Sequence, residues 1–174
     1  MERYDPATDA WTACAPMRTA LDCHAAVALN DHIYVLGGRD EDHAVGADVT
    51  RYDPATDTWT PCAPMGTARF GFAAAAINGS IIVAGGFDDD NEPFASVERY
   101  DAATNTWTAC APMPAARSFV AGCAVGTSLY VLGGSDRHAI TIFPTVERCD
   151  SGADRWEPCP PMPEALMSIG GMAW

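Results

Sequence analysis

Between residues 66 and 113 short apolar runs alternate with polar turns. Residues 72–77 are small and apolar, and Asn78-Gly79 follows, the strongest short hairpin signal. A second apolar run, 81–86, closes on Gly85-Gly86. A polar loop, 87–95, leads to a third segment at 96–100. Residues 101–106 are rich in Asp, Asn and Thr, which hydrogen-bond their own backbone in turns. A fourth segment, 106–110, stops before Pro112, because proline cannot donate to a ladder. The pattern predicts four short antiparallel strands in a row.

The same pattern recurs. Trp11, Trp59, Trp107 and Trp156 lie 48, 48 and 49 residues apart. Tyr4, Tyr52 and Tyr100 share the first two spacings, and Cys149 takes the fourth place. Gly37-Gly38, Gly85-Gly86 and Gly133-Gly134 follow the 48-residue period. RYDPATDAWTACAPM at residues 3–17 returns as RYDPATDTWTPCAPM at 51–65 and RYDAATNTWTACAPM at 99–113. Copies this close imply recent duplication.

One twisted four-stranded sheet cannot bury both of its faces, but several arranged radially bury each face on a neighbour. The fold expected is therefore all-β, a β-propeller of four-stranded antiparallel blades, with the small first strand of each unit innermost. The chain opens on the third and fourth strands of one unit (1–17). It continues through repeats at 18–65, 66–113 and 114–162, and ends on a first strand (163–174). About fifteen strands result, and the expectation is a partial propeller whose open blade edges favour self-association, the alternative being a compact four-bladed ring closed by its own termini.

A double glycine closing an apolar strand, then a Tyr, then a Trp, at this period, resembles the Kelch repeat. VERYDAATNTW and CAPMPAARS are similar to the Kelch domains of BTB–BACK–Kelch ubiquitin-ligase adaptors. The resemblance implies a protein-interaction module, the substrate-recognition part of a cullin-RING ligase adaptor. Some Kelch-like propellers are oxidases or sugar isomerases, so an enzyme is the alternative class.

Charge narrows the partners. The net charge is −13, and all ten basic residues are Arg. Nucleic acid needs clustered positive charge and is not expected. No apolar run is long enough for a membrane helix and no leader pattern opens the chain, so a cytoplasmic location is expected. Seven Cys is an odd number, and Cys14, Cys62, Cys110 and Cys159 repeat at one position. That suits small packed thiols in a reducing compartment rather than a disulfide framework. No metal or other cofactor is expected.

Strand parity locates a binding face. Connections in an antiparallel sheet alternate between its two ends. The longer loops, 39–47, 87–95 and 135–144, therefore share one end with the connections between units. Asp40, Asp42, Asp88 and Asp90 lie in the first two loops, and Arg137 and His138 in the third. Arg18, Arg69 and Arg117 lie in the connections, with Leu21 and Leu166 at the place of Arg69 and Arg117 elsewhere. The Kelch resemblance implies that such Arg residues hold acidic peptides. These nine residues form the expected site for a protein or peptide ligand.

Overall fold

The computed structural model describes residues 1–137 and 141–167. Strands β1 (Glu2–Asp5) and β2 (Ala10–Ala13) form a two-stranded half blade. Three four-stranded antiparallel blades follow. The first is β3 (Ala25–Leu29), β4 (His32–Leu36), β5 (Val49–Asp53) and β6 (Thr58–Cys62). The second is β7 (Ala73–Ile77), β8 (Ser80–Ala84), β9 (Val97–Asp101) and β10 (Thr106–Cys110). The third is β11 (Ala121–Val125), β12 (Ser128–Leu132), β13 (Val146–Asp150) and β14 (Arg155–Cys159). Most of the segment expected as a fifteenth strand, residues 168–174, lies outside the described residues.

Each hairpin has a local cause. Asn78 and Gly79 take φ of 50° and 78°, both left-handed, as a two-residue turn between right-twisted strands requires. Asn30 and Asp31 do the same at 50° and 61°. The second apolar run stops at Ala84 rather than Gly86. Gly85 and Gly86 adopt φ of 74° and 99°, which turns the backbone out of the ladder.

The core lies between sheets. Alternate residues of β8 point to opposite neighbours. Ile81 and Val83 pack with Val27, Leu36 and Val49 of the first blade. Ile82 and Ala84 pack with Leu129, Val131 and Cys149 of the third. Strand β7 lies between β3 and β11, so the first strand of each blade is innermost. The axis is crowded: a Cβ on Gly122 would stand 2.5 Å from the Ala73 Cβ. That is why these strands are built from Ala and Gly.

The periodic Trp and Tyr residues explain the sheet-to-sheet registry. Trp59, Trp107 and Trp156 each donate Nε1–H to a carbonyl of the preceding unit, Ala15, Ala63 and Ala111, at 2.9 Å in every case. Asp57 accepts from the Tyr52 hydroxyl at 2.7 Å and from Ala15 N at 2.8 Å. Asn105 repeats this with Tyr100 and Ala63 N, both at 2.8 Å. Trp11 donates to no preceding unit and is 67% exposed. Radial sheets joined face to face around innermost first strands make an arc of a β-propeller.

Candidate binding face

Residue 40 and its equivalents at 88 and 136 organise the long loops. Asp40 Oδ1 accepts from Asp42 N at 3.0 Å and Ala44 N at 2.9 Å. Asp88 Oδ1 accepts from Asp90 N at 2.9 Å and Glu92 N at 2.8 Å. Asp136 Oδ1 accepts from Thr141 N at 2.9 Å. Asp40 and Asp88 therefore fold their own loops. The signal for this was the G-G-x-D sequence at the repeat period.

The loops are also tied to each other. Asp89 Oδ1 accepts from Val45 N of the neighbouring loop at 3.0 Å. Arg137 pairs with Glu92 across the next gap. The loops zip onto the connections through single bridges, Asp22 with Arg39, Phe70 with Phe87 and Ser118 with Ser135. Around the inner rim, Gly71 N donates to Cys23 O and Phe119 N to Gly71 O.

Arg69 and Arg117 are not offered to a ligand, contrary to the sequence expectation. Arg69 and Arg117 are 0% and 1% exposed. Arg69 donates to Gly85 O at 2.7 Å, Ser96 O at 3.2 Å, Ser96 Oγ at 3.0 Å and Glu98 Oε1 at 2.7 Å. Arg117 donates to Gly133 O at 3.3 Å, Thr145 Oγ1 at 2.7 Å and Glu147 Oε1 at 2.9 Å. Their Nη donors are spent inside the blade interfaces, while each Nε is buried with no partner among the described residues. The cause lies 29 and 30 residues along the chain, where Glu98 and Glu147 enter buried strands and need a cation. Burial pushes both guanidinium groups down from the usual arginine value, and the paired carboxylates oppose it.

Arg18, Asp40 and Asp42 do come together. Arg18 and Asp40 line a cavity of about 190 Å³ on the first blade, with Met17, Leu21, Gly37, Gly46, Asp48 and Thr50. Asp42 and Glu41 border the adjoining depression with Arg18. Asp42 and Asp90 sit at exposed loop tips, and among the described residues no donor reaches either carboxylate. His138 lies outside the described residues.

Sequence reasoning missed Arg39. Its Nε and Nη2 hold both oxygens of Asp22 at 2.9 Å, and its guanidinium stands 4.5 Å from the Phe70 ring centre. The hydrogen bond from Arg39 holds the Asp22 carboxyl below the usual carboxylate range. The repeat carried no signal for it, because Phe87 and Ser135 occupy the equivalent places. All seven cysteines are free thiols, and among the described residues no three His, Cys, Asp or Glu cluster as a metal site would require.

Comparison with known proteins fits this architecture. The model of the KLHDC2/KLHL20/DRC7 Kelch-repeats domain matches residues 23–172. Mouse Kelch-like protein 1 is 45% identical over 40 residues, and human Kelch-like protein 5 is 48% identical over 40 residues. Each match covers 23% of this chain and only 5% of the relative. The solved structure of YjhT superposes with a TM-score of 0.77 at 20% identity, covering 91% of this chain and 58% of that one. That likeness is one of fold.

Proposed function

This chain belongs to the KLHDC2/KLHL20/DRC7 Kelch-repeats domain family. On that footing we propose that it is a non-catalytic protein-interaction module whose loop face takes a protein or peptide. One observation carries the reading: the loops at that face are fixed before any ligand arrives. Asp40 and Asp88 fold them, and the Asp89–Val45 and Arg137–Glu92 contacts tie each to the next. A fixed platform lowers the ordering cost of binding. Asp42 and Asp90 stand free on it, and with a net charge of −13 they favour a partner carrying basic residues.

The similarity to Kelch-like proteins supports a finer reading, substrate recognition for a cullin-RING ubiquitin-ligase adaptor. The module is tested by selecting peptides from a display library against the chain and mapping the bound peptide by amide chemical shifts. Shifts centred on residues 39–47 and 87–95 are expected. Shifts confined to the outer strands β6 and β10 would move the site off this face. The adaptor role is tested separately, by asking whether the longest natural form carrying this domain co-precipitates a cullin.

A further inference from the structure

The first blade lacks, at three separate repeat positions, the groups that fill the other two. Where Arg69 and Arg117 enter their blades it has Leu21. Where Glu98 and Glu147 receive them it has Thr50. Where Phe94 and Phe143 lie 5.3 Å and 4.9 Å from the guanidinium carbons it has Gly46. All three lining residues border the 190 Å³ cavity.

The backbone cradle nevertheless remains. Gly85 O and Gly133 O accept the arginine donors in the second and third blades, and Gly37 is their equivalent. Gly37 N bonds to Asp48 O at 2.9 Å, as Gly85 N bonds to Ser96 O at 3.2 Å. Gly46 N bonds to Gly38 O at 2.9 Å, as Phe94 N bonds to Gly86 O at 2.8 Å. At the place of the Ser96 and Thr145 hydroxyls the first blade has a carboxylate, Asp48, and Asp40 borders the same cavity. Among the described residues no donor reaches the Gly37 carbonyl or the Asp48 carboxylate, and Arg18 at the mouth forms no ion pair.

We propose that this cavity is an anchoring pocket for an arginine side chain of the bound partner, whose guanidinium takes the position the chain's own arginines hold in the other two blades. The proposal rests on the loop-face reading above and adds the chemistry of one subsite. Where the other blades hold an internal cation, the first blade has a cavity lined by Gly37, Asp48 and Thr50. A planar, multi-donor cation suits one carbonyl, one hydroxyl and one carboxylate arranged around it. The pocket opens beside Asp40 and Ala44 of the loop, so a peptide lying across the loops can lower a side chain into it.

The probe is acetyl-Gly-Arg-Gly-amide, with the citrulline peptide as its uncharged isostere, titrated against the chain by amide chemical shifts. The arginine peptide is expected to move Gly37, Asp48 and Thr50. The citrulline peptide is expected to bind on the order of tenfold more weakly, the scale of one lost charge-assisted contact. Asp48→Asn should weaken the arginine peptide to a similar degree. Refilling the cavity with Leu21→Arg, Gly46→Phe and Thr50→Glu together should abolish binding without lowering the melting temperature. A Cβ at Gly46 meets only ordinary contacts, the Gly38 carbonyl oxygen at 3.8 Å and Asp48 N at 3.9 Å. Should the refilled variant misfold, the Asp48→Asn titration decides. Equal binding of the two peptides, or unchanged binding by Asp48→Asn, overturns the pocket. A display-selected ligand that still maps to the loops but ignores both substitutions overturns the pocket alone and leaves the loop face standing.

Discussion

Arg69 and Glu98 meet as a 2.7 Å ion pair between the first and second blades, with none of the Arg69 side chain exposed. Glu98 uses its other oxygen to accept from Gly66 N at 2.7 Å. The third blade repeats the pair as Arg117 and Glu147 at 2.9 Å, but Pro114 stands where Gly66 did and has no N–H to give. Among the described residues, Glu147 Oε2 accordingly has no partner although it is buried.

Removing one member of a buried pair leaves the other charge stranded, which typically costs about 3–5 kcal/mol. Arg69→Ala should therefore lower stability by an amount near that range in urea unfolding. Arg117→Ala should cost more, because Glu147 is then left with no donor while Glu98 keeps the Gly66 N–H. Equal losses for the two variants would contradict the asymmetry that Pro114 introduces.

Stability should fall in acid through the inter-blade aspartate. The backbone N–H of Ala15, then the Tyr52 hydroxyl, hold the Asp57 carboxyl below its ordinary value. A depressed folded-state pKa means the contribution is present above the unfolded value, about 3.9, and is lost as pH falls through the folded one. Asn105 makes the same two bonds in the next blade and cannot titrate. Asp57→Asn should thus keep the melting temperature at pH 7 while flattening its decline between pH 5 and 2, on the order of one carboxylate's linkage. Melts at several pH values check this, and an unaltered slope would exclude Asp57 as a contributor.

Two glycines with similar backbone angles should respond differently to alanine. Gly85 and Gly79 have φ of 74° and 78°. A Cβ at Gly85 would stand 2.5 Å from the Arg117 carbonyl oxygen, which belongs to the next blade's connection, whereas Gly79 has nothing within 4 Å. Gly79→Ala should cost only the left-handed strain, about 1–2 kcal/mol. Gly85→Ala should cost clearly more, because two blades must separate. Denaturant midpoints that fall together would show the close approach to be relieved cheaply.

The exposed Trp11 and Tyr4 should make the isolated chain sticky. Trp11 is 67% exposed and Tyr4 44%, on a half blade whose equivalents elsewhere are covered. Concentration-dependent association is expected in light scattering, reduced by Trp11→Ser. The same substitution at Trp107 should instead lower the melting temperature, since its indole bonds to Ala63 O across blades. A monodisperse wild-type chain over a wide concentration range would remove the first expectation.

The chain's 48-residue period, its hairpin dipeptides and its double glycines determined the strands, their order and the need for radial packing. Those features act through neighbours in sequence and through a repeating face, so they are readable without coordinates. The repeat also marked Asp40 and Asp88 at one position, but periodicity alone does not separate a turn acceptor from a ligand contact. Only the tertiary structure decided where charge is spent. Arg69 and Arg117 looked like surface cations because their partners, Glu98 and Glu147, lie 29 and 30 residues away on another strand. Whether a long side chain reaches solvent or a neighbour depends on the packing of two blades. The cavity at Leu21, Gly46 and Thr50 is likewise invisible in any single position. It exists because three residues distant in the chain converge on one cradle, and convergence of that kind is a property of the folded arc.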